Sequence, residues 1–233
     1  LEDIRGDMQM HTEYSDGTHD VREMAEAADE RGLEYIVITD HGPNAPIPSK
    51  VDVDSFEEQG EDIDAVNADD DIDVEVLRGL EVEITEDGIE GIESLLEDCD
   101  VIVGAMHNRP ENPTDLFLEA MREYPIDIIA HPTNRLLNER DALDLDLDSI
   151  METAAEEQVA VEINAQPKRL DLDWRSVKEY RDDVTFVVST DAHTAGELDL
   201  MHLGMSQARR GWCTAENVLN TQSLTDVLAY LEG

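Results

Sequence analysis

Short apolar runs recur along the chain, and most of them close on a histidine or an acid. Asp7-Met8-Gln9-Met10-His11, Val37-Ile38-Thr39-Asp40-His41 and Leu77-Arg78-Gly79-Leu80-Glu81 come first. Val103-Gly104-Ala105-Met106-His107, Ile128-Ile129-Ala130-His131 and Ser189-Thr190-Asp191-Ala192-His193 follow. A short apolar run bounded by polar residues reads as a buried strand, so each of these polar side chains sits where a strand ends. Parallel strands that present polar groups at their C-terminal ends describe the catalytic face of a βα barrel.

Read in order, the pattern predicts strands at 6–10, 34–39, 74–84, 101–105, 127–130, 159–164 and 185–189. Helices alternate with them at 54–66, 114–123, 148–157 and 174–180. A further helix starts at Thr18 or Asp20 as cap and ends near Arg31, before Gly32. Two more are expected near 214–219 and 223–231. The stretch 42–48 carries Pro43, Pro46 and Pro48 and is a loop, because proline lacks the N–H that a helix or central strand uses. Thr85-Glu86-Asp87-Gly88 is a turn, with a hairpin inserted in the barrel as one reading. Leu143 to Leu147 alternates Leu with Asp and is either a strand or the approach to a helix. Seven strands alternating with helices give an α/β fold, a distorted (βα)7 TIM-like barrel, in a single domain over 1–233.

Composition changes the setting of that barrel. The chain has 58 acids against 16 bases, a formal net charge of −42, and 40% of its residues are hydrophobic. So high a charge reads first as disorder, but regularly spaced apolar strands argue for a core. Three bases are Lys and the rest Arg. A dense acid coat with little Lys points to a cytoplasm of very high salt, where screening over ~3 Å at 1 M relieves self-repulsion. The expected source is a halophile, of archaeal type. Cys99 and Cys213 are too few for a disulfide framework and fit a reducing cytoplasm. No run approaches the ~20 apolar residues of a membrane span, and no signal peptide is visible. The first residue is Leu1, which fits a piece of a longer protein.

The strand ends supply the chemistry. His11, Asp16, His41, Glu81, His107, His131, Asp191 and His193 are eight candidate ligands. Imidazole and carboxylate without thiolate suit Zn, Mn or Fe. One such histidine is usually a packing residue; eight at successive strand ends suit a multinuclear centre. Neighbouring metals that share a carboxylate clamp both oxygens of a phosphoryl displacement, so phosphoester hydrolysis fits best. His19 and His202 lie outside the pattern, the first at a helix start, the second at the border of the site or in packing.

The set resembles the PHP (polymerase and histidinol phosphatase) family over essentially the whole chain. The resemblance is strongest to the PHP domain at the C-terminus of bacterial and archaeal X-family DNA polymerases. It is carried by 6–12, Ser15-Asp16-Gly17, His131-Pro132-Thr133, Glu162-Ile163-Asn164-Ala165 and Arg169-Leu170-Asp171-Leu172. Ala208-Arg209-Arg210-Gly211-Trp212 with 216–221 is the most specific stretch and has no evident metal chemistry. The resemblance implies a trinuclear centre. One metal would take His11, Glu81 and Asp191, a second Glu81, His107 and His131, a third Asp16, His41 and His193. Glu81, His107, Asp191 and His193 are the residues it marks as catalytic. The family's first motif is His-x-His, and Gln9 stands here at the first His. Either its amide oxygen serves as a harder ligand, which favours Mn or Mg over Zn, or it only hydrogen-bonds. Mn is the metal expected, with two or three ions bound.

With so few bases, their placement is informative. Arg109, Arg135, Lys168, Arg169, Arg209 and Arg210 all follow strand-end motifs and are expected to form a basic mouth for phosphate. By resemblance the substrate is the 3′ end of DNA. A metal-activated hydroxide attacks phosphorus in a 3′→5′ exonuclease, with 3′-phosphatase, phosphodiesterase or abasic-site endonuclease activity as variants. A small phosphomonoesterase of histidinol-phosphatase type is a rival, and a weakened domain that docks attached polymerase domains is another.

Overall fold

The computed structural model describes residues 3–89 and 92–232. The single-domain expectation over 1–233 also takes in 1, 2, 90, 91 and 233, which lie outside the described residues. Among the described residues, seven strands form one sheet in the order of the chain. They are β1 (Gly6–Met10), β2 (Tyr35–Ile38), β3 (Glu75–Glu83), β4 (Val101–Ala105), β5 (Ile128–Ile129), β6 (Ala160–Asn164) and β7 (Phe186–Ser189). Every neighbouring pair is parallel. β7 returns to β1 through a parallel bridge between Met10 and Ala192, and the His11 amide donates to the Ala192 carbonyl at 2.8 Å. The sheet is thus a nearly closed, distorted (βα)7 barrel.

Alternation along each strand sorts two apolar layers, because successive side chains point to opposite faces. Tyr35, Val37, Leu77, Val101, Val103 and Val187 pack together, and Leu219 and Val227 from the C-terminal segment join them. Ile36, Ile38 and Val76 instead meet Val21, Met24 and Ala28 of the first helix. The helices are α1 (Val21–Asp29), α2 (Val53–Asn67), α3 (Glu93–Leu96), α4 (Pro113–Glu123), α5 (Leu147–Glu156), α6 (Trp174–Tyr180), α7 (Met201–Arg210) and α8 (Leu224–Leu231). None is long and apolar enough to cross a membrane among the described residues.

Several expectations change. Asp20, not Thr18, caps α1, and its capping box with Glu23 satisfies two orphan amides. Residues 143–146 form no strand; Asp146 caps α5, which begins at Leu147. Thr85 and Gly88 close a tight turn by an antiparallel bridge. The helix expected near 214–219 is two short 3-10 turns, Ala215–Asn217 and Leu219–Thr221. They break because the Asn220 side chain is drawn inward, donating to Gly6 and Val188 carbonyls at 2.7 and 2.8 Å. α7 was not expected at all, and neither was α3.

Candidate metal centre

The C-terminal ends of the strands carry the ligands inward. β3 is the long central strand, and Glu81 and Glu83 alternate with apolar residues on it, both buried. Glu81 is the hub. Its Oε2 lies 3.3 Å from His11 Nε2 and 3.5 Å from His41 Nδ1, and its Oε1 lies 3.5 Å from His107 Nε2 and 3.4 Å from His131 Nε2. His11 Nε2 is also 3.2 Å from Asp191 Oδ1. Asp16 Oδ1 lies 3.5 Å from His41 Nε2 and 3.4 Å from His193 Nε2. The structure therefore brings all eight predicted ligands into one cluster, and each of the three expected groupings is in contact. Among the described residues, two sets converge their donor atoms within 4.8 Å: His11, Asp16, His41 and His193, and His41, Glu81 and His107.

These donors fit divalent cations. Two ligand atoms at ~2.1 Å from one tetrahedral ion stand about 3.4 Å apart, which is the separation found around Glu81. His11 Nδ1 and Nε2, His41 Nδ1, His131 Nδ1, Glu81 Oε1 and Gln9 Oε1 are buried without a hydrogen-bond partner. Leaving so many polar atoms orphaned is costly unless an ion satisfies them. Burial alone would lower the His11 imidazole, but Asp191 and Glu81 outweigh it and hold it well above the ordinary value. The same negative field that favours a proton there favours a metal cation. Burial and the neighbouring Arg169 push His131 down to about 4, leaving it neutral, as a ligand must be.

A surrounding layer, to whose members the sequence assigned no role, sets the ligands' orientation. Glu83 accepts from His107 Nδ1 at 2.6 Å and from the His107 amide at 2.9 Å, which turns Nε2 toward Glu81. Asp40 accepts from the Thr12 amide at 2.7 Å, Ser15 Oγ at 2.5 Å and Gln59 Nε2 at 2.6 Å. It pins the loop that presents Asp16. That loop folds so tightly that a Cβ on Gly17 would sit 2.4 Å from the His11 carbonyl oxygen. Glu162 accepts from the His131 amide at 2.6 Å, and Asn164 donates to Asp191 Oδ2 at 3.0 Å. Burial, with the Asp191 charge beside it, raises Glu162 well above the usual carboxylate range. His131 and Asp191 adopt left-handed backbone, at φ 29° and 51°, a strained conformation that concentrates at functional sites. Gln9 lies within an irregularity of the β1–β2 register and donates from Nε2 to Glu81 Oε2 at 3.0 Å.

The expected basic mouth divides. Arg169 is buried, with Nε 3.7 Å from Asp191 Oδ2 and no hydrogen-bond partner on that nitrogen. Arg140, not singled out in the sequence, donates from Nε to the Asn134 carbonyl at 3.0 Å, and Asn134 Oδ1 also receives Arg169 Nη1 at 3.5 Å. Burial, then Arg169 and Arg109, lowers the Arg140 guanidinium. Arg109 donates to the Asp141 and Ala142 carbonyls. Arg135 ties down the Arg169 and Leu170 carbonyls and Asp173, and so braces the loop that carries Arg169. Lys168 is exposed on that loop. Arg209 and Arg210 are not brought to the ligands: they end α7, where Arg209 shares a cavity with Asp3, ahead of β1, and Arg210 lies over the Trp174 ring. The helix hidden in the sequence is the reason for that displacement.

Barrel and ligand cluster together define a metal-dependent phosphoesterase. A profile of the PHP domain matches residues 7–223, and the chain belongs to that family. It is 38% identical to the DNA polymerase/3′-5′ exonuclease PolX of Bacillus subtilis over all of this chain and 42% of that protein. The chain therefore spans less than half of that relative. The histidinol phosphate phosphatase of Lactococcus lactis, solved with Zn, L-histidinol and phosphate, superposes with a TM-score of 0.68 at 14% identity, over 89% of this chain and 94% of that one. A chain from the structures of the metal-dependent tyrosine phosphatases YwqE of Bacillus subtilis and CpsB of Streptococcus pneumoniae superposes at 0.56 with 21% identity, covering 89% and 85%.

Proposed function

We propose that this domain hydrolyses phosphoesters at the 3′ end of DNA, as a 3′→5′ exonuclease. The observation that carries the hydrolytic reading is Glu81, a buried carboxylate whose two oxygens each face two imidazoles. Likeness to an exonuclease-bearing polymerase across the whole chain supports the DNA end as substrate. Glu81 with His11 and Asp191, with His107 and His131, and Asp16 with His41 and His193 would hold two or three cations. Bound there, divalent metals polarise a phosphoryl oxygen and lower the pKa of a water. Mn is the preferred ion, because Gln9 Oε1 is an oxygen donor buried without a partner beside Glu81.

The chain's own residues do the positioning. Asp16, His107 and His193 are the more open ligands and mark the mouth. Arg169, with an unused Nε, donates to a phosphate oxygen of the substrate, and Arg140 and Asn134 fix its approach. Glu83 keeps His107 Nδ1 protonated so that Nε2 stays free to ligate. Polymerase domains on the same chain, such as the Bacillus relative's name implies for that protein, are the covalent partner this reading expects. The reading is tested by comparing kcat/KM for a single-stranded oligonucleotide and for histidinol phosphate with Mn in molar KCl. Preference for the oligonucleotide, with products shortening stepwise from the 3′ end, is expected. Preference for the small monoester would replace the nuclease with a phosphatase.

A further inference from the structure

Bases are scarce in this chain, and their distribution over the helices is uneven. α1, α2, α4, α5 and α8 each carry more acids than bases. Among the described residues, α6 and α7 alone among the helices have a net positive charge. They pack side by side, and Gly211 at the end of α7 sits so close to α6 that a Cβ would lie 2.4 Å from Val177 Cγ1. Arg175 and Lys178 are three residues apart on α6 and so are neighbours on its surface, while Arg181, at the C-cap, pairs with Asp182 at 2.9 Å. Both tryptophans of the chain lie among these bases. Arg175 and Arg210 flank the Trp174 ring at 4.5 and 4.9 Å, and Lys178 and Arg181 flank Trp212 at 3.7 and 5.8 Å.

Trp212 is the odd residue of this group. It is 63% exposed and stands at φ 67°, in the left-handed position that follows a helix end. Glycine takes that position most cheaply, and a bulky side chain there costs stability. The preceding Gly211 cannot relieve it, because close packing on Val177 holds it in right-handed backbone at φ −75°. An indole kept in a strained conformation, largely in water and beside an ammonium, gains little for the fold. An exposed indole set among cations is instead an element of a single-strand platform, in which a base stacks and phosphates are neutralised.

We propose that the α6–α7 flank binds a nucleic-acid strand, stacking a base on Trp212 and holding phosphates with Arg175, Lys178 and Arg210. The inference rests on the reading of the metal centre as acting on DNA. Arg135 connects the two regions, since its guanidinium contacts the carbonyl of Arg169 at the centre and the carboxylate of Asp173 at the start of α6. The flank thus holds the strand behind the end being cut. Stacking gives it a component that survives high salt, where phosphate contacts weaken.

The test is fluorescence anisotropy of a labelled oligothymidylate of about 12 nucleotides, titrated with the full chain in chelator. Trp212→Gly and Lys178→Glu are compared with the wild type, with bis-p-nitrophenyl phosphate hydrolysis in Mn as control. Each variant is expected to weaken oligonucleotide binding about tenfold, as loss of one stack or one phosphate contact would. Hydrolysis of the small ester should stay within about twofold of wild type, since neither residue touches the ligands. Trp212→Gly should melt no lower than wild type, which a purely structural tryptophan would not allow. Unchanged binding by both variants would overturn the inference, and so would displacement of the oligonucleotide by polyglutamate, which would make the flank a surface for acidic protein. Trimming of 3′ ends by a wild type whose variants bind equally well would overturn this inference alone. Binding lost in the variants of a protein that leaves 3′ ends intact would overturn the exonuclease reading alone.

Discussion

Glu81 and Glu83 stand two positions apart on β3 and serve different purposes. Glu81 meets four imidazoles, whereas Glu83 meets only the far side of one of them, His107. Glu83→Gln is therefore expected to lower metal affinity about 10–100-fold without unfolding the chain, as loss of a ligand's orienting partner does; competition with a chromogenic chelator measures it. Arg169→Ala removes a charge-assisted contact of ~1.5–3 kcal/mol, so KM for an oligonucleotide should rise about tenfold or more while metal content stays constant. Gln9→His should raise Zn retention relative to Mn in equilibrium dialysis, because imidazole is a softer donor than an amide oxygen. The ligands themselves were legible because each but Asp16 lies at or just after the end of an apolar run, and Asp16 lies in the loop that follows the first one. Glu83 and Asp40 were not, since nothing gives either a role of its own among 58 acids, and Glu162 stood out only as part of the 162–165 stretch, with no role attached. Arg140 was missed for a related reason: it follows no strand-end motif and reaches Asn134 only through the fold of its loop.

At the scale of elements, β-strands were read well because buried parallel strands leave continuous apolar runs. α7 was not, because its buried stripe, Met201, Gly204, Met205 and Ala208, is half glycine and alanine and gives only a weak apolar signal in the sequence. Gly204 is the residue that lets the helix approach the sheet: a Cβ there would lie 2.5 Å from Val188 Cγ1 and 3.1 Å from Ala165 Cβ. Gly204→Val should destabilise the protein by about 1–3 kcal/mol in denaturant unfolding, the usual cost of overpacking. Asp127, just before β5, offers a pH test away from the metal ligands. Burial raises it to about 6, even though it accepts from the Ile102 amide at 2.7 Å. The folded state holds this proton more tightly than the unfolded chain, so the contribution is greatest below pH ~4 and is lost as pH rises toward ~6. Asp127→Asn should gain stability at pH 8, by at most about 3 kcal/mol, and gain nothing at pH 4; paired urea titrations at the two pH values check the sign.

For the whole molecule, a net charge of −42 opposes compaction. The melting temperature should rise between about 0.1 M and about 2 M KCl, as the Debye length shrinks from ~10 Å to below ~3 Å. A flat response would show that the acid coat carries little repulsive energy. Against that coat, Arg169 and Arg140 beside the cluster, and the cations of α6 and α7, are proposed to hold phosphate. We propose that the cluster around Glu81 holds metals that cut the 3′ end of DNA. The most direct measurement follows release of the terminal nucleotide from a 3′-labelled single strand by chelator-stripped protein as Mn is returned in molar KCl. The stripped protein should be silent, and activity should appear only after more than one equivalent of Mn has bound. Full cleavage by the stripped protein, or no cleavage by a folded, metal-replete one, would rule out metal-dependent trimming of 3′ ends at this cluster.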